Sequence, residues 1–134
     1  MEFVIIAVAI AASAYTALAF YKAGKFKLTA SKETMLQAGF GWLEKQPVAT
    51  ARIIALLELA GVLGLIVAPI GYFLGYTWAI WFAVAAGAGL ALTMVAATVL
   101  HQVRGESKYT AKMTLKLFAV SAISAVSWAI LPLI

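Results

Sequence analysis

The sequence predicts an all-α protein, a transmembrane four-helix bundle with a short interfacial helix between spans one and two. Three observations predict it. The 134 residues are 65% apolar and only 11% charged, whereas soluble domains are roughly 45–50% apolar and about 25% charged. The apolar residues are gathered into four long runs, and a hydrocarbon core about 30 Å thick takes about 20 such residues per helix. The basic residues, finally, fall between these runs in a pattern that follows the crossings.

The first span is residues 3–21, FVIIAVAIAASAYTALAFY, which carries no charge. It is too long for the apolar part of a signal peptide and has no basic start, so it is expected to be retained. Residues 48–69 form the second span, opened by Pro47, where a missing N–H costs nothing, and containing Arg52 and Glu58. The third, residues 78–100, is uncharged, and the fourth, residues 113–131, has Lys116 near its start. Strands are set aside by length, because a membrane strand needs only about 9–11 residues of alternating polarity. Four spans use nearly all of the chain, which is expected to be one domain.

Between spans one and two lies KAGKFKLTASKETMLQAGFGWLEKQ. Ser31 is placed to cap a short helix starting at Lys32, and Gly39 or Gly41 to stop it. Met35, Leu36, Phe40, Trp42 and Leu43 give this segment an apolar side, and Lys32, Glu33, Glu44 and Lys45 a wet one, as in a helix lying among headgroups. It serves either as a connector hugging the membrane or as a lid over a ligand. Trp42, Tyr72, Tyr76, Trp78 and Trp81 fall near span boundaries, where amphipathic rings favour the interface.

Orientation follows from charge. Lys22, Lys25, Lys27, Lys32 and Lys45 lie between spans one and two, and Arg104, Lys108 and Lys112 between spans three and four. Arg52 and Lys116 lie in entering turns, from which long side chains snorkel to the same surface. All ten basic residues thus collect on one side. The positive-inside rule places both basic loops in the cytoplasm and both termini outside, for a multi-pass protein of the plasma (inner) membrane. The net charge of +5 is therefore a topology signal rather than a nucleic-acid surface, and no nucleic-acid partner is expected.

The chemistry-bearing residues are few. There is no cysteine and a single histidine, His101, so thiolate metal sites, iron–sulfur clusters and bis-histidine haem have no ligands. No metal and no firmly assigned cofactor are expected. Glu58 is the one acid deep in a span, about 15 Å from the span's start at about 1.5 Å per residue. A charged carboxylate at that depth costs roughly 2.5–3.5 kcal/mol, unless it is protonated or meets polar partners in the bundle. Matched depths suggest Ser13, Thr16, Thr93, Ser121 and Ser124 as those partners. Glu58 serves either as a proton-accepting or ligand-anchoring group or as a carboxyl that glues helices together. His101, where span three leaves the membrane, is placed for proton exchange with water or is an interfacial polar group. Arg52 meets a lipid phosphate or an anionic ligand head. Gly61, Gly64, Ala86, Gly87 and Gly89 leave space for close helix approach. No Walker loop, HExxH, GxSxG or paired-carboxylate motif occurs.

Three segments, AGKFKLT after span one, ARIIALLELAGVLGLIVAP across span two and ALTMVAATVLHQVRGE leaving span three, together resemble the DoxX-like family of small four-span membrane proteins. The resemblance runs from about Ala17 to the end of span four. It implies a four-helix membrane bundle, in a wider family that includes subunits linked to quinone-dependent sulfur oxidation, parts of membrane oxidoreductase complexes, and receptor assembly chaperones. Carried over, it singles out Lys27, Glu58 and His101, with Arg104 behind them. The cysteines of some redox-linked relatives are absent here.

Two functions are therefore expected to compete. In one, the chain binds a small hydrophobic molecule, a quinone or a lipid, through Glu58, His101, Lys27, Arg52 and Ser124, and belongs to a membrane redox complex. In the other, it is a non-catalytic assembly or stabilising subunit that docks another membrane protein. The bilayer is a partner in both, with a second membrane protein or another copy of the chain beside it.

Overall fold

The computed structural model describes residues 1–105 and 107–134, the side chains of 107–111 aside. Glu106, which ends the segment ALTMVAATVLHQVRGE, and the Lys108 side chain of the second basic loop lie outside the described residues. The order is α1 (Glu2–Thr29), α2 (Lys32–Gln37), a 3-10 turn (Gly41–Leu43), α3 (Val48–Phe73), α4 (Trp78–Val103), α5 (Ser107–Ile130) and a closing 3-10 turn (Leu131–Leu133). No strand occurs among the described residues. Four helical stretches are long and apolar enough to cross a membrane: Glu2–Thr29, Val48–Phe73, Trp78–Val103 and Lys112–Leu133.

The four long helices form a closed ring in which α1 packs on α3, α3 on α4, α4 on α5, and α5 back on α1. Small residues make this possible. A Cβ added to Gly61 would stand 2.8 Å from the Leu90 side chain, and one on Gly64 2.9 Å from the Ala86 Cβ. Across the next seam, Gly87 lies against Ala125, whose backbone nitrogen is 3.1 Å from the same imagined atom. Because lipid offers helices no hydrophobic reason to associate, such close contact supplies much of the adhesion. Gly89, expected to do the same, has nothing within 4 Å of an added Cβ and stays outside the packing.

The helices overrun the expected spans. α1 continues past Tyr21 to Thr29, because Lys, Ala and Phe propagate a helix and no proline interrupts it. α3 continues past Pro69 to Phe73. The proline removes one N–H from the ladder, a loss that membrane helices tolerate when neighbours cover it. The stop comes at Gly75, whose φ of +90° is accessible to glycine. There Tyr76 N–H donates back to Gly71 O at 2.9 Å, satisfying a terminal carbonyl.

The short helix begins and ends where expected. Ser31 Oγ accepts from Thr34 N–H at 3.1 Å, and Gly39, at φ +102°, lets the chain reverse. Its apolar residues turn onto the protein. Met35 and Leu43 are fully buried with Ala51, and Phe26, Phe40 and Trp42 pack around them. Lys32 ties the segment down by donating to Gln46 O at 2.7 Å. Residues 30–47 thereby cover the basic end of the ring.

Candidate functional site

Two of the expected site residues meet directly. Lys27 Nζ lies 2.8 Å from Glu58 Oε1, in a pair whose side chains are 12% and 2% exposed. Depth matches Glu58 with Ser13, Thr16, Thr93, Ser121 and Ser124, and charge places Lys27 between spans one and two. The extra turns of α1 explain the difference. In a helix each Cα–Cβ bond leans towards the N-terminus, so Lys27 in the last turn of α1 reaches back into the bundle. Glu58, on antiparallel α3, leans the opposite way to meet it.

Gly24 sets the distance between the two helices. It lies three residues before Lys27 and so shares its face, and an added Cβ there would stand 3.0 Å from Leu59 and 3.4 Å from Ala55 O. Arg52 closes the contact from the other side, its Nη1 donating to Lys27 O at 2.7 Å. That bond satisfies one of the carbonyls left open at a helix end and places a positive charge by the negative pole of α1. Arg52 thus fastens α1 to α3. Lys27 Nζ also stands over the Phe40 ring at 5.9 Å, within range of a cation–π attraction.

The pair forms part of the wall of a central cavity of about 710 Å³ to which all four long helices contribute. His101, buried at 9% exposure, lines the same cavity. So do Thr93 and Thr114, and Phe40 and Trp42 from the covering segment. Lys22 and Lys116, both exposed, stand at its α1–α5 rim, with Lys116 Nζ over the Tyr15 ring at 5.3 Å. The rest of the lining is chiefly aliphatic and aromatic. Glu58 Oε2 is buried here without a hydrogen bond.

Ser124 belongs elsewhere. Its Oγ lies 2.8 Å from Ser13 Oγ, which also accepts from Trp128 Nε1–H at 2.9 Å. This network joins α1 to α5, and Trp128 meets the Tyr72 ring edge-on at 5.6 Å. Ser121 donates to Leu117 O at 2.7 Å within its own helix. Thr93 and Thr98 do likewise, donating to Gly89 O and Met94 O. Arg104 lies outside the ion pair, its Nη2 3.0 Å from where a Gly41 Cβ would be, and so links the end of α4 to the covering segment.

Thr114 is a cavity residue that the sequence pattern does not single out, while Phe40 and Trp42, named there on the apolar side of the connecting segment, line the cavity as well. The available signal was the Gly24–Lys27 spacing, which brings the last turn of α1 onto α3 once the helix is allowed to continue. Among the described residues no three His, Cys, Asp or Glu stand close enough together to hold a metal ion.

A ring of four apolar helices with a charged pair buried in its cavity defines a multi-pass membrane protein built around a small polar centre. More particularly, a family model described as the DoxX-like family matches residues 11–126, and the chain belongs to that family. No curated protein and no solved structure matches it.

Proposed function

We propose that this protein binds a small hydrophobic molecule with a polar head, a quinone or a lipid, in the cavity between its four helices. One observation carries the proposal: a buried ion pair lines an otherwise largely apolar space of about 710 Å³, within the range of small-molecule sites. Taking both charges out of water costs several kcal/mol per ion, and apolar residues of similar size hold helices together as well or better. Ionisable groups inside a membrane bundle mark ligand or proton pathways. Glu58 Oε2 is open to a hydroxyl donor and the Lys27 ammonium to a carbonyl, the two faces that a quinol and a quinone present.

His101 in the same wall suits a proton path from the basic end, with electrons carried by a partner protein of a membrane redox complex. Arg52 supports the site by fixing α1 against α3. We further place the basic end in the cytoplasm of a plasma-membrane protein, on the positive-inside rule. The alternative, an assembly subunit docking through Gly61 and Gly87, has less support, since both glycines face neighbours within the chain.

Trp42 provides the test, because quinones quench tryptophan and this ring lines the cavity. Titrating a short-chain benzoquinone into protein in nanodiscs should give saturable quenching that Trp42→Phe diminishes. Glu58→Gln and Lys27→Met should each weaken the apparent affinity about tenfold, which corresponds to the ~1.4 kcal/mol of one hydrogen bond to a charged group. Non-saturable quenching, indifferent to all three substitutions, would sink the proposal.

A further inference from the structure

A second void lies on the lipid-facing side of the α3–α4 seam. It measures about 490 Å³, and Gly61, Gly64, Phe82, Ala86 and Gly89 contribute to its walls. Its origin lies in the packing. Gly61 meets Leu90 and Gly64 meets Ala86, closing the floor, while Ala60, Ala85 and Gly89 on the shoulders are too small to fill the slot above. Leu57 and Thr93 line both this groove and the central cavity, so these two side chains stand where the spaces adjoin. Leu57 is 66% exposed and free to change rotamer. The Thr93 hydroxyl, the one polar side-chain group in the lining, donates to Gly89 O at 2.9 Å. The other lining side chains are hydrocarbon.

We propose that a ligand whose head lies at Lys27 and Glu58 passes its tail between Leu57 and Thr93 and lays it along the α3–α4 groove. The protein is then selective for amphiphiles that carry a long, thin prenyl or alkyl chain. The proposal rests on the headgroup reading above and adds the class of tail. From Thr93 to Phe82, α4 runs about 16 Å at ~1.5 Å per residue, the length of several prenyl units. Phe82 marks the far end. Because the groove faces lipid, the chain enters sideways from the bilayer without crossing water.

Gly89 gives a clean test, since a side chain there enters open space rather than the core. Gly89→Leu fills the groove from α4, and Ala60→Leu fills it independently from α3. Two probes are titrated into wild-type and variant nanodiscs of phosphatidylcholine: a tail-less dimethoxy-methyl-benzoquinone and the same ring with a ten-carbon chain. Partitioning into the bilayer is common to all variants, so the comparison is between proteins. Both substitutions should weaken the tailed probe at least fivefold and leave the tail-less probe within twofold of wild type. If both probes bind and the ratio of their affinities is unmoved in both variants, the tail lies elsewhere and the groove proposal falls alone. If neither probe binds wild-type protein, the headgroup reading fails and the groove proposal with it. Phosphatidylcholine is in excess throughout, so a tail effect seen against it assigns the groove to the quinone's chain rather than to bilayer acyl chains.

Discussion

Lys27 and Glu58 each make the other tolerable in the bundle. Removing one leaves the other as an uncompensated buried charge, which costs about 3–5 kcal/mol in protein interiors. The two losses should be unequal. At 2% exposure Glu58 has nowhere to go, whereas Lys27, at 12% and on a flexible stem near a helix end, can withdraw towards water. Lys27→Met should therefore destabilise more than Glu58→Gln, and the double variant should recover stability relative to Lys27→Met alone. Reversible unfolding in mixed micelles, treated as a double-mutant cycle, measures this; additive losses would mean that the two groups are not energetically paired. Glu58 was legible in the sequence as an anomaly, because a carboxylate in an apolar run stands out by composition. Its partner Lys27 was reached only through the family resemblance, not by composition. Lys27 lies in a lysine-rich stretch that reads as a loop by charge, and only the course of α1 beyond Tyr21 turns it inward.

Helix seams set by glycine make sharper demands than the apolar runs themselves. Substituting leucine at Gly64 or Gly87 places atoms where Ala86 and Ala125 already stand, and overpacking of this kind typically costs about 1–3 kcal/mol. Leucine at Gly89 should leave stability within about 0.5 kcal/mol, as surface substitutions do. Thermal unfolding of the three variants in one detergent separates these outcomes. Ser13→Ala removes the acceptor of Trp128 Nε1 and the partner of Ser124, with an expected loss of about 1 kcal/mol, the scale of interhelical hydrogen bonds in membranes. At this level α2 was readable in advance, since Ser31 and Gly39 act through local backbone chemistry. The glycine seams were readable in type but not in pairing: Gly61, Gly64, Gly87 and Gly89 look alike in sequence, and only three-dimensional register shows which one faces open space. Ser124, matched by depth to both Ser13 and Glu58, bonds to Ser13, a choice that depth alone cannot make because it leaves rotation about the helix axis undetermined.

For the whole molecule, length and composition sufficed to predict four crossings, because the thickness of the hydrocarbon core leaves few other ways to arrange 134 residues that are 65% apolar. The cavity was out of reach of such reasoning, because its walls come from all four helices and from Phe40 and Trp42 of the covering segment, and composition does not fix their register. The orientation has a direct test, made simple by the lack of native cysteine. Lys45→Cys should react with a membrane-impermeant maleimide only from the cytoplasmic face of sealed vesicles, and Thr77→Cys only from the other; reaction of both from one face would refute the topology. The Ser13–Ser124–Trp128 network has a bearing on biogenesis. It fastens the earliest helix to the latest, so no nascent chain that stops short of α5 can bury Ser13 or wall off its central space. Until translation delivers α5, Ser13 lacks both of its partners and the cavity lacks the wall that Thr114 and Leu117 supply.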